Sequence, residues 1–396
     1  MNFPIEKYTH YLVMSGSHSY GCSTPESDFD IRGWAIPPRK YFFSYHLNFD
    51  QADSSYTITT LPESWRTCVE TYVLMNECRE PEADEKIDFG VYHLRKFVKL
   101  AADCNPNVVE LLFVDPAEVL SSDVYGNLLR KNAKLFLSAR AKYSFSGYAI
   151  SQLKRINTHR KWLMDPPTRK PERKDFGLPE KSLISADQRQ AAEALIQKQV
   201  RIWMLEEAEV DRTIIAMIQE DLRVMIAKII NKPMNLEAAD RMIEHVAAKE
   251  VGIGENYLEI LQLEKRYRQA LNYFNQYQEW VKNRNPVRAE LEKKFSFDCK
   301  HASHLIRLLY EAKDILFKGD LIIKDKERAQ LLREIKNGAW TYEQLLDWTE
   351  KQMSELDAAY DAKTYKVPQK PDVNELDFMY GELCEKALQE YASSNR

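Results

Sequence analysis

The residues most able to do chemistry lie in positions 15–34, which read SGSHSYGCSTPESDFDIRGW. A predicted strand runs into Gly16-Ser17, small residues that let the backbone approach a phosphate closely. Asp28 and Asp30 stand at the head of the next predicted strand, where residues i and i+2 point to the same face. Two neighbouring carboxylates repel each other unless a cation lies between them, and Mg²⁺ is the usual ion beside phosphates. The pair alone could also be a solvated acidic turn, so its meaning depends on the surrounding residues.

The order Gly-Ser, about a dozen residues, then Asp-x-Asp entering an apolar strand resembles the DNA polymerase β type of nucleotidyltransferase. The resemblance implies a short mixed sheet with helices on one side, and nucleotidyl transfer with two Mg²⁺ or Mn²⁺ ions. It also implies a third carboxylate on a later strand. Asp88 in KIDFGVY fits best, and Asp84 and Glu85 in the preceding PEADE segment are its rivals. The implied catalytic and metal-binding residues are therefore Asp28, Asp30 and Asp88.

An NTP is the implied substrate, and two segments are expected to hold its triphosphate. One is the Gly-Ser turn, and the other is a predicted helix over 299–316, whose polar face opposes an apolar stripe. The expected NTP-binding residues are Gly16, Ser17, Ser19, Lys300, His304 and Arg307. A merely solvated helix face would show the same pattern. His301 and His304, three residues apart, could instead bind zinc, which is the weaker interpretation.

Residues 154–174 form a basic segment, KRINTHRKWLMDPPTRKPERK. Eight Lys or Arg stand against two acids there, in a chain whose formal net charge is −4. Such a local excess is typical of contact with a phosphate backbone, and Trp162 and His159 among the charges could stack on a base. A solvated basic loop is an equally weighted alternative. The predicted nucleic-acid-binding residues are Lys154, Arg155, Arg160, Lys161, Arg169, Lys170, Arg173 and Lys174.

The chain is further similar to nucleotidyltransferases related to the RNA-repair polymerase β-like proteins of bacteria and phages. GSHSYGCSTPESDFDIRGW carries the similarity, with LRKF and NPNVVELLF downstream. HRKWLMDPPTRKPERKDFGLPE, RNPVRAELEKKFSFD and KHASHLIRLL resemble later elements, so the similarity is expected over nearly the whole chain. It implies transfer of NMP from an NTP with release of pyrophosphate, whereas the large helical region and the basic segment favour a nucleic acid, an RNA or tRNA end, as the acceptor. A small-molecule or protein acceptor is the first alternative, and a non-catalytic nucleotide-binding protein on the same scaffold is the second.

Two regions of the chain, which differ in composition and in predicted secondary structure, must position these residues. Residues 1–118 contain segments rich in β-branched and aromatic residues that predict strands, which indicates an α/β (α+β) nucleotidyltransferase domain. Residues 119–396 predict a large all-helical domain, with a basic, Pro-rich loop at 164–180. Apolar stripes of helical period predict long helices across 187–283, with a break near Asp211.

Composition excludes several classes of protein. The 396 residues are 44% hydrophobic and 29% charged, which excludes a disordered chain. No apolar run approaches the length of a membrane span, and the N-terminus lacks the pattern of a signal peptide. We therefore expect a cytoplasmic protein with no membrane partner. The six cysteines include no CxxC pair and are expected to be reduced thiols, and the oligomeric state is left open.

Overall fold

The computed structural model describes residues 3–24, 27–77, 79–203, 236–284 and 286–394. The chain packs into two compact units. Unit 1 comprises residues 1–164 and 285–396, and unit 2 comprises residues 165–284. The predicted boundary at residue 118 divides the chain differently and stays a prediction.

The strands are β1 (Thr9–Ser15), β2 (Phe29–Ala35), β3 (Gln51–Thr57), β4 (Lys86–His93) and β5 (Val119–Ser122). The helices in the first half of the chain are α1 (Gly16–Ser19), α2 (Lys40–Phe43), α3 (Glu63–Glu77), α4 (Leu94–Ala102), α5 (Pro106–Val109), α6 (Val124–Lys131), α7 (Ala141–Met164) and α8 (Ala186–Trp203). They are followed by α9 (Leu236–Glu250), α10 (Glu255–Asn283), α11 (Pro286–Phe295), α12 (Cys299–Lys313), α13 (Lys326–Lys336), α14 (Tyr342–Asp361) and α15 (Val373–Ser394).

Within the described residues, the five strands form one mixed sheet in the order β3-β4-β2-β1-β5. Strands β2 and β4 run parallel, and every other neighbouring pair is antiparallel. A parallel pair needs a crossover connection, which here is supplied by the chain through β3 and α3. An α/β region with a short mixed sheet, followed by a helical region, confirms the predicted fold class.

The two faces of the sheet pack against different helices. Phe29 and Ile31 of β2 are buried on the face that α3 covers, and Trp65 of α3 stacks on Phe89 of β4 with ring centroids 4.3 Å apart. Trp34 is buried in the core of the opposite face, which includes residues of α4 and α12. Because side chains alternate along a strand, the residues between Phe29 and Trp34 that do not face α3 point toward this helical side.

Helix α12 runs through the core of unit 1 and packs along α7. Its buried apolar residues are Ala302, Leu305, Ile306, Leu308, Leu309 and Ala312. A helix that is apolar on most of its surface is buried on most sides, and only its first turn keeps exposed polar residues. The first turn of α12 is therefore the part of the helix that can contribute polar side chains to a site at the sheet.

Unit 2 has a small core of its own, formed by α8, α9, α10 and the segment before α8. Ile184, Leu258 and Leu261 are buried there. The Pro-rich loop contains a 3₁₀ turn, Arg173–Phe176, and the expected break near Asp211 lies outside the described residues. None of the helices in the described parts of the chain is long and apolar enough to cross a bilayer. The described cysteines carry free thiols, as predicted.

Candidate active site

Asp30 and Asp88 lie side by side on the parallel strands β2 and β4, where they are register partners. Their strand neighbours Phe29 and Ile87 are buried on the α3 face, so both carboxylates point to the other face. Neighbouring strands lie about 4.8 Å apart, which brings two acids from distant parts of the sequence together. Asp28 is exposed at the entry to β2, and its charge acts on Asp30. The structure thus gathers the three acids that the sequence predicted.

The pKa of Asp30 reflects its burial and the closeness of the other two acids. Burial raises the pKa of its carboxyl, and repulsion by Asp88 and Asp28 raises the pKa further, while Arg32 works against the rise. Arg32 Nη2 lies 3.1 Å from Asp88 Oδ2 and 3.7 Å from Asp30 Oδ1. The two carboxylates therefore form ion pairs with the Arg32 guanidinium. Carboxylate oxygens are the ligands that Mg²⁺ and Mn²⁺ prefer, so this donor set fits the implied metal.

The Gly-Ser turn is built against the same acids. Ser15, the last residue of β1, is the register partner of Asp30, and its hydroxyl donates to the Asp30 carbonyl at 2.9 Å. Gly16 follows with φ +65°, and a β-carbon there would collide with Asp30 Oδ2. The backbone of Gly16 and Ser17 therefore reaches the acids only because residue 16 has no side chain. Ser19 is buried and its hydroxyl donates to the Gly16 carbonyl at 2.9 Å, so it closes the turn instead of facing a ligand.

The start of α12 brings one cation to the acids. Lys300 is exposed, and it lies close enough to Asp30 for its positive charge to lower the pKa of that carboxyl. His304, one turn later, is half-buried. Burial lowers its pKa well below the usual value, and the charges of Arg307 and Lys300 lower it further. His304 is therefore a neutral imidazole at pH 7, and it could meet a triphosphate only as a neutral hydrogen-bond donor.

Arg307 occupies a different place from the one expected of an NTP-binding residue. It is buried, and its Nη1 donates to the carboxylates of Glu110 and Glu311. Its guanidinium also lies 4.2 Å from the centroid of the Tyr20 ring. Helical spacing predicts that Arg307 lies on the same face of α12 as Lys300. Arg307 is two turns further along, where the helix is buried in the core, and it forms ion pairs with the buried acids there. We therefore correct the expectation that it contacts a triphosphate.

The two alternative candidates for the third acid, Asp84 and Glu85, lie in different environments. Glu85 is held by Arg79, with Nη2 to Oε1 at 2.6 Å, and it accepts the backbone amide of Glu82 at 3.1 Å. Asp84 is exposed in the loop before β4. Asp88 is the one of the three that the sheet places beside Asp30.

The basic residues of α7 differ in exposure. Lys154, Arg155 and Lys161 are exposed, whereas Arg160 is half-buried with its guanidinium 4.2 Å from the centroid of the Tyr342 ring. Trp162 is buried and stacks on His159, with ring centroids 5.5 Å apart. A base could not stack on Trp162 without displacing this packing, which corrects the expectation for that residue.

The basic residues of the Pro-rich loop belong to unit 2. Arg173 binds the buried carboxylate of Glu264 through two guanidinium nitrogens, at 2.5 and 3.1 Å. This ion pair holds the loop against α10, whereas the sequence analysis predicted that Arg173 contacts nucleic acid. Two other pairs join residues within the loop, Arg169 with Asp175 at 2.8 Å and Lys174 with Glu172 at 2.6 Å. Lys170 is exposed.

Two features of unit 1 differ from what the sequence analysis considered, which paired His301 only with His304 as possible zinc ligands. Arg32 stands two residues after Asp30 on the same strand, and this i+2 spacing could have placed it among the acids. His159, Asp298 and His301 form a compact group in which the ligand atoms all lie within 4.8 Å of one another. Asp298 stands three residues before His301, a spacing that was visible in the sequence and was overlooked.

Comparison with known proteins supports the resemblance over part of the chain. A sequence model of the RlaP family, the RNA repair pathway DNA polymerase β family, matches residues 6–165. The match includes the Gly-Ser turn, all three acids and α7, and it suggests a nucleotidyltransferase. Of the later blocks expected to resemble the group, the first is included only up to Asp165, and the other two lie beyond the match.

One curated relative is an uncharacterized 38.9 kDa protein encoded in the nrdC-mobD intergenic region of Enterobacteria phage T4. It is 27% identical over 139 residues, which is 35% of this chain and 35% of the phage protein. The chain therefore spans about a third of the length of that relative. No solved structure matches.

Proposed function

We propose that this protein is a divalent-metal-dependent nucleotidyltransferase that transfers NMP from an NTP to a hydroxyl group of a nucleic acid. The observation that carries the proposal is the pairing of Asp30 with Asp88 across parallel strands, with the Gly16 backbone packed against Asp30. In this proposal the turn binds phosphate and the acids bind metal, at the same end of the neighbouring strands β1, β2 and β4. The family match over residues 6–165 supports the same reaction class.

In this proposal Asp28, Asp30 and Asp88 hold two Mg²⁺ or Mn²⁺ ions. The bound ions supply charge neutralisation at the attacking and leaving oxygens. The acceptor oxygen forms a bond to the α-phosphorus, the bond from that phosphorus to the bridging oxygen breaks, and pyrophosphate leaves. Asp88, which is exposed, takes the proton of the attacking hydroxyl.

The remaining residues bind and orient the triphosphate. The backbone of Gly16 and Ser17 can approach phosphate oxygens because no β-carbon intervenes at residue 16. Lys300 adds one positive charge on the side of Asp30. Catalysis then rests on positioning and on charge neutralisation, which are the principal contributions in phosphoryl and nucleotidyl transfer.

The exposed basic residues favour a nucleic acid as acceptor. Lys154 and Arg155 on α7 present charge to solvent, which suits a phosphate backbone. The family description names an RNA repair pathway, and we therefore propose an RNA or tRNA end as the acceptor. A small-molecule or protein acceptor uses the same chemistry and is the first alternative. A binding protein without turnover is less favoured, because the acid set is intact and clustered.

The test is transfer of α-³²P label from each of the four NTPs, with Mg²⁺ or Mn²⁺, to total RNA, tRNA, DNA oligonucleotides and total protein. The proposal expects label at a nucleic-acid 3′ end, lost in Asp28→Asn/Asp30→Asn. Label on protein alone would establish the alternative acceptor. NTP binding without label on any acceptor would favour the binding protein.

A further inference from the structure

A second cluster of potential metal ligands joins α7 to the beginning of α12. Asp298 Oδ2 lies 3.3 Å from His159 Nδ1 and 3.5 Å from His301 Nε2. The Asp298 side chain is 2% exposed, and the two histidine side chains are 16% and 17% exposed. Two imidazoles and one carboxylate therefore converge at a largely buried position, and these are donor groups that transition metals accept.

The distances are compatible with ligands of one metal ion, although the 3.3 Å contact between His159 and Asp298 is also a long hydrogen bond. A charged imidazole–carboxylate hydrogen bond has a donor–acceptor distance of about 2.7–2.9 Å. Both distances to Asp298 Oδ2 are longer than that. Two ligands bound tetrahedrally to zinc at about 2.0–2.1 Å are separated by about 3.3–3.4 Å. The two separations from Asp298 Oδ2 are close to this edge length, and all three ligand atoms lie within 4.8 Å of one another.

The hydrogen bonds around the cluster orient the ligand atoms. His301 Nδ1 lies 2.7 Å from Gln152 Oε1, and a ring that donates from Nδ1 to this oxygen presents the lone pair of Nε2 toward Asp298, as a metal ligand requires. Asp298 Oδ1 accepts the backbone amide of His301 at 3.0 Å, which leaves Oδ2 directed at both rings. A ligating histidine whose other nitrogen donates to an oxygen is the usual arrangement around a protein metal.

We infer that His159, Asp298 and His301 form a binding site for a divalent transition metal, with zinc as the ion that two imidazoles and one carboxylate suit best. Three ligands leave one tetrahedral position for water or a fourth side chain. Two nitrogen ligands make the site unlike the all-carboxylate set at Asp30, which suits Mg²⁺.

The site has a structural consequence. It ties α7 to the first turn of α12, and that turn carries Lys300, the residue whose charge reaches Asp30. Metal at this site therefore positions Lys300. The inference does not depend on the proposed function, because metal binding is measured directly.

The experiment uses the full chain, stripped with a chelator and titrated with Zn²⁺ against a chromophoric indicator, with Mg²⁺ present in large excess. Bound metal is counted by elemental analysis, and Co²⁺ is substituted to record its visible absorption. We expect one Zn²⁺ per chain, a higher Tm with zinc, and a tetrahedral Co²⁺ spectrum.

Asp298→Asn is the informative variant, because Asn retains the helix cap and removes the carboxylate. We expect it and His159→Gln each to weaken zinc binding by at least about 100-fold, with an unchanged circular dichroism spectrum. His46→Gln, at an exposed histidine, is the matched control, and Asp28→Asn/Asp30→Asn should bind zinc normally. Absence of zinc binding in the parent chain, or equal binding in Asp298→Asn and His159→Gln, would overturn the inference.

Discussion

Gly16 lies so close to Asp30 that a β-carbon on residue 16 would collide with Asp30 Oδ2. The backbone of Gly16 is also left-handed, with φ +65°, a conformation that costs other residues about 1–2 kcal/mol. Gly16→Ala should therefore displace either the turn or the acid. We expect transfer activity to fall by about 100-fold, because small displacements of reacting groups have effects of this size.

Gly147→Ala is the matched control for that variant. Gly147 is exposed on α7, and a β-carbon there meets no atom within 4 Å. Activity should be unchanged and the helix slightly more stable. Equal activity of the Gly16 variant and the Gly147 variant would remove the turn from the proposed site.

Arg307 should matter for stability and not for NTP binding. Arg307→Met leaves the buried carboxylates of Glu110 and Glu311 without the cation that they share. Breaking a buried ion pair by removing one partner typically costs about 3–5 kcal/mol. We expect urea unfolding to show a loss of that size, with the KM for NTP unchanged in the folded fraction. A raised KM without loss of stability would restore the interpretation of Arg307 as a triphosphate ligand.

The features of the site that could be predicted from the sequence are those that depend on strand alternation and on motif spacing. Strand alternation put Asp28 and Asp30 on one face, and the resemblance to polymerase β-type nucleotidyltransferases implied a third acid, for which Asp88 on a predicted strand before a helix fitted best. The pairing of Asp30 with Asp88 depends on the order of strands in the sheet, which no local pattern encodes.

Helical spacing was informative only near the start of α12. Lys300 and Arg307 share a face by period, but the depth of a helix in the core changes along its length and is set by tertiary packing. The same limitation applied to Arg173, whose partner Glu264 lies far along the chain. The cluster at Asp298 was missed for another reason, since His159 reaches it from α7 and only the Asp298–His301 part was local.

Acid sensitivity should depend on His93, the N-cap of α4. Burial lowers its pKa from 6.5 to about 4, with a further contribution from Arg95, and its Nδ1 accepts the Arg95 amide at 2.9 Å. Because the unfolded chain protonates His93 more readily, stability is retained above pH 6.5 and lost as the pH falls toward 4. The shift corresponds to about 3 kcal/mol.

His93→Asn tests this account, because Asn caps the helix without titrating. The free energy of unfolding of the variant should fall less between pH 6.5 and 4 than that of the parent chain. Parallel pH profiles for the two proteins would show that other groups cause the acid sensitivity.

Nucleic-acid binding should depend on the exposed basic residues and not on Arg173. Replacing Lys154, Arg155 and Lys170 by Gln should weaken binding to RNA. The slope of log K against log salt should fall by about 0.7–0.9 for each phosphate that the protein no longer neutralises. Arg173→Gln should leave the slope unchanged and destabilise unit 2, because it breaks the pair with Glu264. The same slope for the triple variant and the parent chain would favour a small-molecule or protein acceptor.

The most direct test of the central claim compares Asp88→Asn with Asp84→Asn in paired reactions with α-labelled and γ-labelled NTP on a pool of RNA and tRNA. The parent chain and Asp84→Asn should place the α label on the polymer and release the γ label as pyrophosphate. Asp88→Asn should do neither above about one hundredth of the parent rate, since it lacks the carboxylate beside Asp30. Transfer of the γ label to the polymer would indicate a kinase-type reaction. Loss of transfer in Asp84→Asn with retention in Asp88→Asn would contradict the assignment of the site.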